Sequence, residues 1–539
     1  MTAIRLKSAT SAFLIISILG LGLYLRVVGL SGRGIIARDE VWHLYSARGL
    51  AHRLSTSVEL ASDSEYTLTE TSLEKISSNN VAGKPTYVVA LWILGLILQN
   101  WNYQITLILS VICGVVGLLL AWKLARAIRL GPVEAIVAPA LLATSFSHLY
   151  FSRIGYPHAL LIAVYAASLI YFMRSFGSKP LVNLALAGLA FGVGLSVHMS
   201  LVLALPGIFL AQFYQTALIE GKPRDFVRRA SVLASGIVLP LLFWELLYHA
   251  FAKVLGSRPG VASLSGSYLL DALRHSGTGS IPTYGLLGKL LFYPLVLVGM
   301  ENPVVSLFTV AGLVAVLRRR SDRGLTLGLI ILVSNLALLI MFPAKYGRQI
   351  APLLVLWAII GARGVAVVVG WINARHWISQ TRGVGPTIVI MVILFNLYWD
   401  LPLLSSRSGG FKQAAEWLEA SGHREDKLLM IEISDAAIMH YYWPKRVYLW
   451  HETLNSQDAA EWYVKSPTDH LRDDWPQISR ALIANHATSA SFDDYWTRLR
   501  PHQSVGGDWL LIPWWRWSRG PSSFRAHWDD AVQVYARDQ

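Results

Sequence analysis

The sequence predicts a mainly α, polytopic helical membrane domain followed by a small C-terminal extracytoplasmic α/β domain. Three observations carry that prediction. Of 539 residues, 54% are hydrophobic and only 15% are charged, where a soluble chain carries about a quarter. Between Ala9 and Leu404, apolar runs reach or approach the length needed to cross about 30 Å of hydrocarbon. They predict about 11 to 13 membrane helices. From Ser405 onward the pattern changes to short alternating helical and strand-like segments. The division is therefore a membrane part, 1–404, and an external part, 405–539.

Charge follows the same division. Residues 1–404 hold 32 Lys+Arg against 15 Asp+Glu, and residues 405–539 hold 15 against 18. A basic excess among spans reflects cytoplasmic anchoring, with part of it available to an anionic head group. Because the cations are scattered rather than gathered on one soluble face, nucleic-acid binding is excluded as a function class. Cys113 is the single cysteine, which rules out an intramolecular disulfide framework and any Cys-based metal cluster.

Arg5 and Lys7 precede the apolar run Ala9–Leu30. That run is too long for a signal peptide and lacks a small-residue cleavage site, so it reads as a retained first span with a cytoplasmic N-terminus. The expected location is a cell inner (plasma) membrane. The loop from Ser31 to Lys84 then faces outside and holds seven of the fifteen acids of the membrane part. Its first half contains Asp39 and Glu40. They are followed by Val41, Leu44, Tyr45, Ala47, Ala51 and Leu54 at the spacing of an amphipathic surface helix. Its Ser/Thr-rich second half, Ser55–Gly83, reads either as a mobile flap over a site or as plain surface loop.

Six apolar runs follow: Tyr87–Leu98, Ile105–Trp122, Val133–Tyr150, Pro157–Met173, Leu181–Val197 and Met199–Tyr214. They lead to a basic loop holding Lys222, Arg224, Arg228 and Arg229, which reads as cytoplasmic. Passing from outside to inside takes an odd number of crossings, so one run does not span. Tyr87–Leu98 is the shortest, roughly 18 Å. If it lies in the interface, the Ser152–His158 turn and His198 emerge on the same side as Asp39. Further on, Arg318–Arg320, Arg375 and Arg382 read as cytoplasmic, while Lys345, Tyr346 and Arg348 read as external. In the tail, Phe411–Ala420 and Asp435–Tyr442 read as helices. Lys427–Ile433 and Arg446–Trp450 read as strands, with Gln477–Ala484 and Trp509–Ile512 continuing the alternation. The tail also holds eleven of the twenty tryptophans, suited to sugar stacking, the head-group layer or ordinary core packing.

Polar groups thus converge on one side: Asp39 and Glu40, Lys84, Arg153 with His158, His198, and Lys345 with Arg348. Carboxylates facing cations at a membrane surface suit proton abstraction from a hydroxyl with cationic stabilisation of a phosphate leaving group. Each residue also has a structural explanation. An acid at position 39 is a good N-cap, and Lys84 is placed to snorkel before Pro85. Arg153 fits a helix-end cap, and His198 a satisfied interior histidine. Lys345 and Arg348 fit boundary anchors, although two external cations run against the topology bias. There is no His-Glu-x-x-His, Walker A or dinucleotide fingerprint. Asp63-Ser64-Glu65 has divalent-ion spacing in a soft acidic loop, so no cofactor is required and a divalent cation stays compatible. Glu245 is the clearest acid inside a span.

Several of these segments resemble the membrane glycosyltransferases of the GT-C fold, in particular bacterial relatives of protein O-mannosyltransferases and the lipid A aminoarabinose transferases. The matching residues are Arg38-Asp39-Glu40, Lys84-Pro85-Thr86-Tyr87, Ser152-Arg153-Ile154-Gly155-Tyr156-Pro157, and Tyr346-Gly347-Arg348 with Pro352. Thr86 stands where that family often has a second proline or an apolar residue. The resemblance implies transfer, with inversion, from a polyprenyl-phosphate sugar donor to a hydroxyl of a lipid, glycan or protein acceptor on the outer face. Asp39 would be the general base and Glu40 would shape the site. Lys84 would contact the donor phosphate, and Arg153 and Arg348 would be further phosphate or sugar contacts. His158, His198, Lys345 and Tyr346 complete the candidate substrate-binding set. The alternatives are a lipid-linked glycan flippase or transporter that performs no chemistry, and a structural partner of such an enzyme.

Overall fold

A computed structural model describes residues 8–30, 34–35, 38–255, except 55–83, and then 267, 290–294, 296–297, 301, 303–318, 322–342, 347–374, 384–405 and 410–422. In the tail it describes 428–430, 439, 441–443, 447–449, 462–465, 486–492 and 532–537. The helices in order are α1 (Ser8–Val27), α2 (Arg38–Leu54), α3 (Pro85–Leu98), α4 (Gln104–Ala127), α5 (Pro132–Ala143), α6 (Phe146–Arg153), α7 (His158–Arg174) and α8 (Pro180–Val197). A 3-10 turn, Met199–Ala204, leads into α9 (Leu205–Phe213), followed by α10 (Pro223–Leu255), α11 (Pro303–Arg318) and α12 (Arg323–Met341). Another 3-10 turn, Gly347–Leu353, precedes α13 (Leu354–Ala374), α14 (Val384–Ser405) and α15 (Gly410–Ala420). Among the described residues seven helices are long and apolar enough to cross a membrane. The pair α5 and α6, bent by 54°, makes an eighth, and four shorter apolar helices accompany them. This is the polytopic helical domain expected from hydropathy.

The first short run, expected from crossing parity not to span, forms α3, one of the shorter apolar helices. Lys84, just before α3, bonds His43 of α2. Trp101, just after α3, accepts from Arg48 of the same helix. Both ends of α3 therefore bond α2, at residues five apart. Helix α7 has His158 at one end and Arg174 at the other.

Two kinds of contact hold the bundle together. Small residues let backbones approach closely, as they do where lipid supplies no hydrophobic drive between helices. At the α11–α13 crossing, a Cβ on Gly364 would sit 1.7 Å from the Phe308 carbonyl oxygen, and one on Gly312 would sit 2.1 Å from that of Ile360. Buried charges provide the second kind. Arg26 is fully buried, donates to the Gly22 carbonyl at 2.7 Å, and lies 2.6 Å from Nδ1 of His148. Asp400 and Glu301 are buried nearby, and Glu301 accepts the Ser147 amide at 3.1 Å. The sequence reading singled out Glu245 as the acid within a span and passed over this pair.

In the tail a five-stranded sheet has the order β2-β1-β3-β5-β4, with β1 (Leu428–Met430), β2 (Val447–Leu449), β3 (Trp462–Lys465), β4 (His486–Phe492) and β5 (Val532–Arg537). β1 pairs in parallel with β2 and β3, while β5 is antiparallel to β3 and β4. β1 and β2 fall within the expected strands, and α15 matches the expected helix. The other three strands were not anticipated, and Gln477–Ala484 and Trp509–Ile512 lie outside the described residues. Phe411, Ala414 and Leu418 of α15 join Met439 and Trp443 in one apolar cluster with Ile35 and Val41. This cluster seats the tail on α2.

Replacing Gly364 by valine should cost about 1–3 kcal/mol through overpacking, read as a lower thermal midpoint in detergent. Gly20→Val, where no atom stands within 4 Å of the new Cβ, should leave the midpoint unchanged.

Candidate active site

Helix α2 is the roof of the site. It is short and amphipathic, with Glu40, His43, Leu44, Ala47 and Ala51 turned into protein and fully buried or nearly so. Glu40 and His43 are three residues apart and share that face. One carboxylate oxygen of Glu40 accepts the Gly155 amide at 3.0 Å, tying α2 to the Ile154–Pro157 loop between α6 and α7. Only glycine fits at 155: a Cβ there would meet Thr106 Oγ1 at 2.4 Å and Glu40 Cγ at 3.1 Å. Asp39 is the second residue of α2, and its side chain lies outside the described structure. Lys345 and Tyr346 are also outside the described residues, as is the acidic segment 55–83.

Lys84 precedes Pro85 at the start of α3, and its Nζ lies 3.0 Å from Nε2 of His43. An ammonium can only donate, so Nε2 accepts and the neutral His43 ring carries its proton on Nδ1. Tyr87 packs edge-on against His43 with ring centroids 5.0 Å apart. One residue earlier, Thr86 lies 2.6 Å from Ser196 Oγ and accepts from the Trp244 indole at 3.0 Å. These bonds fasten the start of α3 to α8 and α10.

His158 opens α7 and is 2% exposed. It stacks on Phe151 at 4.8 Å and lies 5.0 Å from the His198 ring. Neither ring nitrogen has a hydrogen-bond partner among the described residues. His198, Arg348, Lys84 and His43 all act electrostatically on it. His198 sits in extended backbone after α8 and accepts the Ser200 amide at 3.2 Å. Arg348 lies in the 3-10 turn before α13 and is half-buried. Thus Lys84, His158, His198 and Arg348, separated by up to 264 positions in the chain, meet on one side beneath α2.

Arg153 is placed differently. It is 1% exposed and donates through one nitrogen to the carbonyls of Leu25 and Val28 at 2.7 and 2.8 Å, capping the end of α1. Its sequence neighbours in the loop face the site, while the guanidinium bonds that helix end. Three further residues contribute to the site and were not singled out from sequence: His43, Trp244 and Tyr442. His43 falls one turn beyond Asp39 and Glu40, which was the available signal. The Tyr442 hydroxyl accepts the Ile35 amide, and that of Tyr441 accepts the Tyr103 amide at 3.1 Å. Burial pushes both phenols up, so they stay protonated. Together these two tyrosines hold the approach to α2 from the tail. Among the described residues no group of three His, Cys, Asp or Glu side chains is arranged to hold a metal ion.

Residues 84–263 match a family model described as dolichyl-phosphate-mannose-protein mannosyltransferase, about a third of the chain. A search of curated proteins gives no match. Among solved structures, ArnT from Cupriavidus metallidurans is similar at a TM-score of 0.56 and 14% identity, with 90% of this chain and 97% of that one covered. The Archaeoglobus fulgidus oligosaccharyltransferase in its apo form is similar at a TM-score of 0.56 and 13% identity, covering 86% of this chain and 70% of that one. The same archaeal enzyme, AglB, with an inhibitory peptide and a dolichol-phosphate, is similar at a TM-score of 0.50 and 12% identity, covering 85% and 70%. The chain is a multi-pass membrane protein of the GT-C fold, similar to the membrane glycosyltransferases of the O-mannosyltransferase and ArnT type.

Proposed function

We propose that the protein is an integral membrane glycosyltransferase that moves a sugar from a polyprenyl-phosphate carrier to a hydroxyl of a lipid, glycan or protein, with inversion at the anomeric carbon. The observation that carries this reading is the grouping of Lys84, His198 and Arg348 around His158. Lys84 and Arg348 both act on the buried His158 ring, whose nitrogens have no hydrogen-bond partner among the described residues, beneath the helix that bears Asp39 and Glu40. Gathering cations in a partly desolvated space is unfavourable until an anion joins them, and a phosphate is an anion of the right charge. The dolichol-phosphate held by AglB supports a lipid-linked donor, and the mannosyltransferase family match over residues 84–263 supports sugar transfer.

In the proposed step, the Asp39 carboxylate takes the acceptor hydroxyl proton. The freed oxygen forms a bond to the anomeric carbon from the face opposite the phosphate. The bond from that carbon to the phosphate oxygen breaks, and its electron pair leaves with the polyprenyl phosphate. Lys84 and Arg348 meet the growing negative charge. His158 and His198 supply ring nitrogens toward the sugar or phosphate, with His43 holding the Lys84 ammonium by its unprotonated nitrogen. Glu40 acts by position, because its bond to Gly155 sets where α2 begins. Arg153 secures the loop from behind through the end of α1. Lys345 and Tyr346 flank Arg348 in sequence and belong to the same external segment.

Asp39→Asn should lower transfer of labelled sugar from a polyprenyl-phosphate donor by about 10²–10⁴-fold with the thermal midpoint retained. Wild-type turnover in that variant would end the mechanism, and label that only crosses the bilayer would make the protein a transporter. Lys84→Ala should raise the donor concentration needed for half-maximal rate about ten- to hundredfold, the value of a charge-assisted hydrogen bond. Glu40→Gln keeps an acceptor for the Gly155 amide, whereas Glu40→Ala strands it at a cost of about 1–3 kcal/mol. The alanine variant should therefore melt clearly lower than the glutamine variant.

A further inference from the structure

At the opposite ends of the same helices lies a second site of different character. The end of α4, the start of α5, the turn between α7 and α8, and the start of α12 line an open cavity of about 850 Å³. Helix α7 separates it from the candidate active site: His158 is its first residue and Arg174, which lines the cavity, its last. Seventeen residues of helix place the two roughly 24 Å apart.

The cavity wall holds six basic side chains and two carboxylates. Both carboxylates are committed to Arg363: Glu134 lies at 2.7 Å and Asp322 at 2.8 Å from its guanidinium. Arg323 is paired with Glu220 at 2.7 Å. Arg126, Arg129, Arg174 and Lys179 remain, and none of them forms an ion pair among the described residues. Two of these cations are held at a cost. Arg129 has φ +69° and Lys179 φ +53°, in the left-handed region that disfavours side chains by about 1–2 kcal/mol. Arg129 occupies the position after the α4 C-cap that glycine usually fills: its amide bonds the Arg126 carbonyl, and the Leu130 amide bonds that of Ala125. The chain keeps a cation where the backbone favours glycine.

The cavity runs on into a hollow of about 460 Å³ that shares Arg126 and Arg174 and adds Trp122 and Lys123. The Arg126 guanidinium carbon stands 5.2 Å from the Trp122 ring, an amphipathic aromatic suited to head-group depth. Val133 and Val182, each next in sequence to a lining residue, are exposed and offer apolar surface to an acyl chain.

We propose that this cavity binds the phosphate head group of an acidic phospholipid. Its volume exceeds that of a lone phosphate, its unpaired cations match phosphodiester oxygens, and its aromatic and aliphatic rim favours a lipid over a soluble anion. The site is independent of glycosyl transfer.

The test measures lipid binding and thermal midpoint for detergent-purified protein titrated with cardiolipin, phosphatidylglycerol, phosphatidylcholine and free pyrophosphate. The acidic lipids should bind and raise the midpoint, and phosphatidylcholine should not. Each cation lost should weaken acidic-lipid binding roughly fivefold, so R129Q with K179Q should weaken it roughly twenty-fivefold. R224Q with R228Q, exposed cations of the α10 start outside the cavity, should leave it unchanged. R174Q provides a second single-site check if the double variant is poorly expressed. Equal losses in both double variants, equal stabilisation by phosphatidylcholine, no stabilisation by any lipid, or the full shift from pyrophosphate alone would each overturn the assignment.

Discussion

The bond from the Gly155 amide to Glu40 is the constraint on which the candidate site depends. A carboxylate taken out of water costs several kcal/mol unless it is paired or hydrogen-bonded, and Glu40 is 1% exposed. Its partner comes from a loop that can approach only because residue 155 lacks a side chain, with Thr106 of α4 pressed against the same point. One contact therefore registers α2, α4 and the α6–α7 loop together. His158 follows Gly155 by three residues and inherits that placement, as does Asp39 through its position beside Glu40 in α2. From the other side, the tail seats Phe411, Leu418 and Trp443 against Ile35 and Val41, and Tyr442 takes the Ile35 amide. The start of α2 is thus held between the membrane bundle and the external domain, and the tail is part of the site's frame.

Arginines in this frame divide into two uses. Arg153 is buried and bonded to backbone carbonyls at the end of α1, where a helix leaves acceptors unsatisfied, and buried Arg26 bonds the Gly22 carbonyl one turn earlier and His148. Their charge is used for holding the last turns of α1 inside the bundle. Lys84 and Arg348 instead stand at the first turns of α3 and the α13 approach, where their charge reaches His158. The distinction cannot be read from residue type, since all four are cations near helix ends.

This is also why the site was only partly legible from sequence. Hydropathy located most of the helices, because long apolar runs carry their own signal. Asp39, Glu40 and Lys84 stood out because they interrupt apolar runs at the same side. His43 did not, because one histidine on an amphipathic helix carries no pattern of its own. Arg153 had two readings, a substrate contact and a helix-end cap. Its observed bonds run to Leu25 and Val28, more than a hundred residues away in the chain. The pairing of Asp400 and Glu301 with the Arg26 region was hidden for the same reason. In the tail, β1 and β2 were found from their apolar runs, while β4, His486–Phe492, alternates small and polar residues that carry little strand signal.

Helices α7 and α8 carry basic groups at both ends, and the solvent at each end decides what those groups can do. At the candidate site His43 and His158 are buried and Lys84 is partly buried. A unit charge about 4 Å away is there worth roughly 4 kcal/mol, against about 1 kcal/mol in water. A charge that appears only as a bond breaks can be met strongly in such a space, which is what transition-state stabilisation requires. At the other end Arg126, Arg129, Arg174 and Lys179 are exposed, so each contact is weak and screened. Such a site gains affinity only by number, through several cations on one multiply charged ligand held at the membrane surface. Basic groups at the two ends of the bundle therefore suit chemistry at one end and equilibrium binding at the other, with burial as the difference.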